Sequence, residues 1–227
     1  MRMTGMRCAG SRLVRAAVAG GLLTATGACG AGLPTYASAR ATAQAVELRT
    51  LLSALDRLPE GLSAHVRSPW RPPFRPHGHD CRAVFDAVSG RPPREGLAGT
   101  TAATFEGAHV GELAGVGLAT YEGGEASGPF EELREAMDGC AAVDRDTPAE
   151  ADSLAAADLP MPPVGDESAA RRLVGRVGGY PYEMQFVVLR AGHALVAVVH
   201  AGLTPPDARL TRALADVLAR EVGTLEP

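Results

Sequence analysis

The densest group of chemically capable side chains is the run His77-Gly78-His79-Asp80-Cys81. Two imidazoles, a carboxylate and a thiol are donor types that zinc or copper accepts. The set is incomplete, because no further local ligand stands at a suitable spacing and an oxidised Cys81 binds no metal. A polar stretch of a Pro-rich loop accounts for the run equally well, so neither a metal nor a cofactor is assigned. The carboxylates Glu106, Glu112, Glu122, Glu125, Glu131, Glu132 and Glu135 offer material for a general-acid pair, but no spacing singles two of them out.

Other candidates fare no better. His193 and His200 flank the last strand seven residues apart, which places them on opposite faces of a regular strand. Serine catalysis on a nucleophile elbow needs G-x-S-x-G, which does not occur, and Ser168 sits in the turn-like Gly165-Asp166-Glu167-Ser168. Gly115-Val116-Gly117 and Gly175-Arg176-Val177-Gly178-Gly179 lack the strand–turn–helix setting of a phosphate loop. Arg171, Arg172 and Arg176 lie near strand ends and offer positive charge to an anionic ligand, although a solvated face explains them too. No catalytic residue is assigned.

The cysteines carry the clearer message. Residues 1–15 are basic and residues 16–26 are uncharged and mostly apolar, the two regions of a secretory signal. The apolar run is too short for a membrane span, which takes about 20 residues. Ala25-Thr26-Gly27-Ala28-Cys29 reads as a lipobox, with Cys29 lipidated and made the new N-terminus. The competing reading is secretion after cleavage at Ala37-Ser38-Ala39. The expected organisation is a signal peptide over 1–28, a tether over 29–42 following the lipidated Cys29, and a single domain over 43–227. Cys8 leaves with the signal, so Cys81 and Cys140 remain for the oxidising exterior and are expected to form a disulfide. Closing that loop is worth about 4 kcal/mol in the chain-entropy description.

Composition supports a folded domain: 46% hydrophobic, 21% charged and only 4% aromatic, so the core is built from Ala, Val and Leu. Lys, Asn and Ile are absent, and all 22 basic residues are Arg. That is the mark of a GC-rich genome, and it makes Arg the default cation. The net charge is −4, and residues 29–227 alone carry 18 Arg against 26 acids. An acidic chain without basic runs is a poor partner for nucleic acid or an anionic membrane surface. The expected partners are the membrane, through the N-terminal lipid, and a small ligand or an envelope protein.

The elements that position these residues follow from periodicity. Helical spacing of Ala45, Val46, Leu48, Leu51, Leu52 and Leu55 predicts a helix over 43–57, ended by Leu58-Pro59. A short strand is expected over 62–67, an irregular Pro-rich loop over 68–79, and a helix over 81–88 capped by Asp80. Strands follow over 100–106 and 111–121, then a helix from Pro129 to Cys140. An acidic, Pro-rich loop over 144–168 holds one short strand near 152–157. Strands over 170–176, 180–189 and 194–201 form a meander, and Pro205-Pro206-Asp207 opens a last helix. The fold class is α+β, an antiparallel sheet with helices packed on it and one disulfide.

Several short features occur in a characteristic order. They are Leu58-Pro59-Glu60-Gly61, Cys81 at a helix start, a β-pair, Gly139-Cys140 closing a helix, Leu159-Pro160, the 165–168 turn, a Val-rich hairpin at 187–199 and a Leu-rich final helix. Over residues 50–225 this order resembles the extracellular sensor domain of mycobacterial PknH-type kinases and related actinobacterial lipoproteins. The resemblance implies an antiparallel sheet with flanking helices around a V-shaped ligand cleft, and it matches Cys81 and Cys140 to the family's first disulfide. This chain departs from the family in lacking a second disulfide pair, a kinase and a transmembrane helix. The expected function is a non-enzymatic, membrane-anchored binding or sensor-type domain, with a central cleft lined by sheet residues as its ligand site. An extracytoplasmic hydrolase and an envelope protein–protein interaction module are the alternatives.

Overall fold

The computed structural model describes residues 36–55, 57–124, 126–144 and 152–225. Cys29, the signal peptide and the tether as far as residue 35 lie outside the described residues.

Among the described residues the sheet has seven strands, all antiparallel, in the order β1-β2-β7-β6-β5-β4-β3. They span Leu97–Glu106 (β1), Leu113–Tyr121 (β2), Ala142–Asp144 (β3), Ser153–Asp158 (β4), Glu167–Val177 (β5), Tyr180–Ala191 (β6) and Ala194–Gly202 (β7). The helices are α1 (Tyr36–Ser53), α2 (His79–Val88), α3 (Ser127–Gly139) and α4 (Ala208–Val222). After β2 the chain crosses by α3 to the far edge. It then meanders back until β7 pairs with β2. The α+β class and the Cys81–Cys140 disulfide are as expected.

Alternation along the strands sends side chains to two cores. Leu195, Ala197, Val199 and Ala201 of β7 join Val84 and Phe85 of α2 and Leu133 of α3. Val196 and Val198 join Leu48 and Leu52 of α1 and Leu214 and Leu218 of α4. Strand β7 is therefore buried on both faces at every position, as its apolar run Ala194–Val199 requires, and His200 is the one polar side chain in it. Two glycines let helices approach the sheet. A Cβ on Gly117 would lie 2.1 Å from the Ala87 carbonyl of α2, and one on Gly99 would lie 2.7 Å from Gln44 Cβ of α1.

Local differences from the periodicity have physical reasons. Helix α1 begins at Tyr36, so the end of the expected tether is helical. Residues 39–43 are exposed, and their alanines favour helix without any core contact. The 62–67 segment makes only two isolated bridges to the outer edge of β1, Leu62 with Gly107 and Arg67 with Thr104. Asp80 does not cap α2. The N-cap is Gly78, and Asp80 sits in the first turn, where its charge favours the helix dipole. Strand β3 has three residues, too few to show a period. Asp207 caps α4 by accepting the Arg209 N–H at 2.9 Å.

Candidate functional site

The Pro-rich segment 68–79 borders two concave surfaces. Its aromatic residues anchor it: Trp70 and Phe74 are buried, and Trp70 meets Phe85 and Phe186 edge-on with ring centroids 5.4 and 6.2 Å away. Phe85 and Phe186 stack at 5.2 Å. The tryptophan reaches this position because Gly115 has no side chain; a Cβ there would lie 2.7 Å from Trp70 Cβ. Anchoring positions 70 and 74 leaves Arg71 and Arg75 exposed. The prolines hold the backbone rigid between the anchors.

One cleft lies on each side of this segment. The first, about 490 Å³, is lined by Arg49 and Ser53 of α1, Arg67 and Ser68, Ser89 at the end of α2, and Thr101 of β1. Arg67 pairs with Glu106 at 2.8 Å, an exposed contact of little energetic weight. The second, about 470 Å³, is lined by Pro72, Phe74, Arg75, Arg82, Asp86 and Arg91 among others. There Arg91 donates to Asp86, and Arg82 donates to the carbonyls of His77 at 2.7 Å and Pro76 at 3.4 Å. Both clefts are of the size that small ligands occupy. They lie along the Pro-rich segment; of the sheet residues expected to line a central cleft, only Thr101 and Ala102 of β1 line either of them. Helices cover the central strands β6 and β7 on both faces. Where α2 and α3 meet β5 and β6, a void of about 10 Å³ lies beside Phe85 and Phe186.

A second feature is a buried polar network at the start of α4. His200 Nδ1 lies 2.8 Å from Thr211 Oγ1, and His200 Nε2 lies 3.0 Å from Glu112 Oε1. Glu112 Oε2 accepts the His109 backbone N–H at 3.0 Å and meets the His109 ring at 2.8 Å. Thr211 donates to Gln185 Oε1 at 2.7 Å, and Gln185 Nε2 donates to the Pro206 carbonyl at 2.8 Å. Burial lowers the pKa of His200, and the hydrogen bond and charge of Glu112 only partly oppose it. Burial pushes Glu112 up, but hydrogen bonds from His109 and His200 outweigh that and hold it below the ordinary carboxylate value.

Thr211, His200 and Glu112 have the order of a hydrolase triad. Thr211, however, is fully buried and its proton is committed to Gln185, so this hydroxyl does not reach a substrate. Sequence reasoning missed the network, apart from naming Glu112 and His200 separately. His193 lies in the turn before β7, at the far end of that strand from His200, and the two form no joint site.

The remaining candidates serve structure. Cys81 and Cys140 tie α2 to the end of α3. His79 faces Asp80 at 3.3 Å on the surface, and among the described residues no group of three or more His, Cys, Asp and Glu side chains is placed to hold a metal ion. Glu131 pairs with Arg134. Glu125 lies outside the described residues. Ser168 Oγ accepts the Val164 N–H at 3.0 Å and shapes the 165–168 turn. Arg171 donates to the carbonyls of Met137 and Asp138 at the end of α3, and Arg176 to that of Gly179. Arg172 lies 4.0 Å from Glu183. Among the described residues no helix is long and apolar enough to cross a membrane.

No family model and no curated protein matches this sequence. Among solved structures, the chain is similar to the extracellular domain of PknH from Mycobacterium tuberculosis, with a TM-score of 0.52 and 13% identity over 81% of this chain and 95% of that one. An uncharacterised protein from Mycobacterium smegmatis, an Rv0999 ortholog, aligns at a TM-score of 0.33 and 15% identity over 63% of this chain and 73% of that one. The first likeness bears out the expected PknH-like fold.

Proposed function

We propose that this chain is an extracytoplasmic, non-catalytic ligand-binding domain of the sensor type, held at the membrane surface by a lipid on Cys29. The observation that carries the reading is the pair of clefts flanking the aromatic-anchored Pro-rich segment. Both clefts combine arginine with hydroxyl or carboxylate side chains, and the second adds the apolar Phe74 and Phe85, which is the make-up of a binding surface. The likeness to the extracellular domain of PknH supports placement outside the cell, as does the export signal read in residues 1–28. A lipid on Cys29 followed by a short linker would leave the domain in the aqueous phase beside the membrane.

The test is the intact mass of the protein extracted from its own membranes under non-denaturing conditions. A mass for residues 29–227 plus a diacylglycerol anchor, less two hydrogens, supports anchor and disulfide together. Additional non-covalent mass that disappears when cleft side chains are truncated, with the fold preserved, supports the ligand site. A chain beginning at Arg40 in the medium removes the anchor. Retained mass indifferent to substitution in either cleft removes the proposed site.

A further inference from the structure

The acidic total of the chain hides a local reversal. Residues 65–94 hold six arginines against two aspartates, together with His65, His77 and His79. The rest of residues 29–227 holds 12 arginines and 24 acids. Codon bias explains why the cations are arginine. It does not explain why six arginines meet only two carboxylates here, because acids outnumber arginines two to one over the rest of residues 29–227. A segregated charge of this kind creates a local positive field on an otherwise negative molecule.

The fold concentrates that field in one place. Arg75 from the Pro-rich segment, Arg82 from α2 and Arg91 from the turn after α2 line the same cleft of about 470 Å³. Asp86 is the one carboxylate among its lining residues, and it holds Arg91 with Nε 3.1 Å from Oδ1. Arg82 spends Nε and Nη2 on the backbone of the loop, which fixes the guanidinium against the rim. Arg75 is exposed and has no hydrogen-bonding or ionic partner among the described residues. Three guanidinium groups thus converge from three elements, with one carboxylate to balance them. Phe74 and Phe85 form an apolar floor that keeps part of the cleft dry and strengthens charge interactions within it.

We propose that this cleft binds a phosphate group, with Arg75 and Arg91 as the contacting side chains and Arg82 bracing the rim. A phosphate presents enough acceptor oxygens to engage guanidiniums arriving from several sides, whereas a carboxylate offers two. The inference deepens the ligand-binding reading above and rests on it. The phosphate group belongs either to a soluble phosphate ester or to a phospholipid head group, since both present the same chemistry.

The test is titration of the purified protein with inorganic phosphate and glycerol phosphate, followed by amide chemical shifts, alongside flotation with phosphatidylglycerol or phosphatidylcholine vesicles. Saturable shifts within 72–94 that weaken with added salt are expected. Arg75→Gln, which breaks no contact, lowers affinity about tenfold, as loss of one charge-assisted hydrogen-bonding partner does. Asp86→Asn removes the carboxylate that competes for Arg91 and raises affinity several-fold. Binding of soluble phosphate that follows both variants identifies a soluble ester. Binding confined to phosphatidylglycerol vesicles that follows both variants identifies a head group, and either result supports the cleft. Affinities unchanged in both variants, shifts confined to the cleft beside α1, or no binding of either probe overturn the proposal. Native retention of an uncharged ligand together with failure to bind either probe overturns this inference while leaving the ligand-binding reading standing.

Discussion

His200 Nε2 stands 3.0 Å from Glu112 Oε1, although 88 positions separate the two residues in the chain. Counting protons around this contact shows that it is not a simple ion pair. Gln185 Nε2 donates to the Pro206 carbonyl, which has no proton to give, so the amide oxygen of Gln185 faces Thr211. Thr211 has one proton and two acceptors in reach, Gln185 Oε1 at 2.7 Å and the Asp207 carbonyl at 3.2 Å; the shorter contact takes it, because Gln185 Oε1 has no other donor. His200 Nδ1 must then donate to Thr211. A neutral ring has only one proton, so its Nε2 would face the Glu112 carboxylate bare. A charged ring satisfies every partner. A neutral ring can instead protonate Nε2 and accept from Thr211 at Nδ1, but Gln185 Oε1 then loses its donor. Hydrogen bonding favours the charged ring and burial favours the neutral one. The lowered pKa of His200 says that burial prevails.

The pH dependence of stability follows in sign. His200 titrates below its ordinary value of 6.5 in the fold, so the unfolded chain binds more protons as pH drops through that region. Stability contributed by His200 is fully present above about pH 6.5 and declines as pH falls toward the folded value. Glu112, held below 4.5, adds a second loss as pH falls below its ordinary range. Thermal melts at pH 7.5 and 5.5 are expected to show a lower Tm at 5.5, and His200→Gln is expected to flatten that difference. A higher Tm at 5.5 would mean that the charged ring is the ground state.

Thr211→Val isolates the hydroxyl. The change is nearly isosteric at a fully buried position, so packing is preserved. It leaves His200 Nδ1 and Gln185 Oε1 without their shared partner, at a cost of about 1–3 kcal/mol for an unsatisfied buried group. Thr211→Ser keeps the hydroxyl and should recover that part of the loss in a urea melt. A Thr211→Val variant as stable as the parent, with the loss confined to Thr211→Ser, would show that the methyl group, rather than the network, carries the stability.

The sheet was legible where strands carry long apolar runs. Positions 180–186 alternate and 187–189 and 194–199 are apolar, and the stripe from Leu210 to Val222 announces α4. The disulfide followed from elimination of the other two cysteines. The network did not follow, because Glu112, Gln185, His200 and Thr211 come from four separate segments. The available signal was polarity inside a run that burial makes apolar: Gln185 follows Met184 and precedes Phe186, and His200 follows Val198-Val199. A polar side chain in a strand buried on both faces needs a partner from the layer above it. The clefts had a similar signal. Trp70 and Phe74 alternate with Arg71 and Arg75, so one set was bound to anchor the segment and the other to face outward.

Two glycines give opposite predictions. Gly117 touches the α2 backbone so closely that an added Cβ meets the Ala87 carbonyl at 2.1 Å and Val88 Cα at 3.1 Å. Backbone atoms of a packed helix cannot swing aside like a side-chain tip, so Gly117→Ala should cost about 1–3 kcal/mol or more by overpacking. Gly128, near the start of α3, has nothing within 4 Å of an added Cβ. Gly128→Ala should stabilise by about 0.5 kcal/mol through the unfolded chain. Opposite shifts of the urea midpoint check both; a neutral Gly117→Ala would show that α2 is free to lift from β2.

Reduction of Cys81–Cys140 probes how the two helices on one face depend on each other. The bond spans 59 positions and joins the first turn of α2 to the residue that ends α3. Both cysteines are buried, and α2 and α3 contribute Val84, Phe85, Leu133 and Met137 to one core. Opening a loop of this length should cost about 4 kcal/mol in the chain-entropy description. A double Cys81→Ala, Cys140→Ala variant should therefore unfold at a much lower urea concentration than the oxidised protein. The loss acts mainly on the unfolded state, so the aromatic cluster of Trp70, Phe85 and Phe186 should keep its native near-UV signal until the variant unfolds. Loss of that signal before any global transition would show instead that the bond holds α2 against the sheet in the folded state.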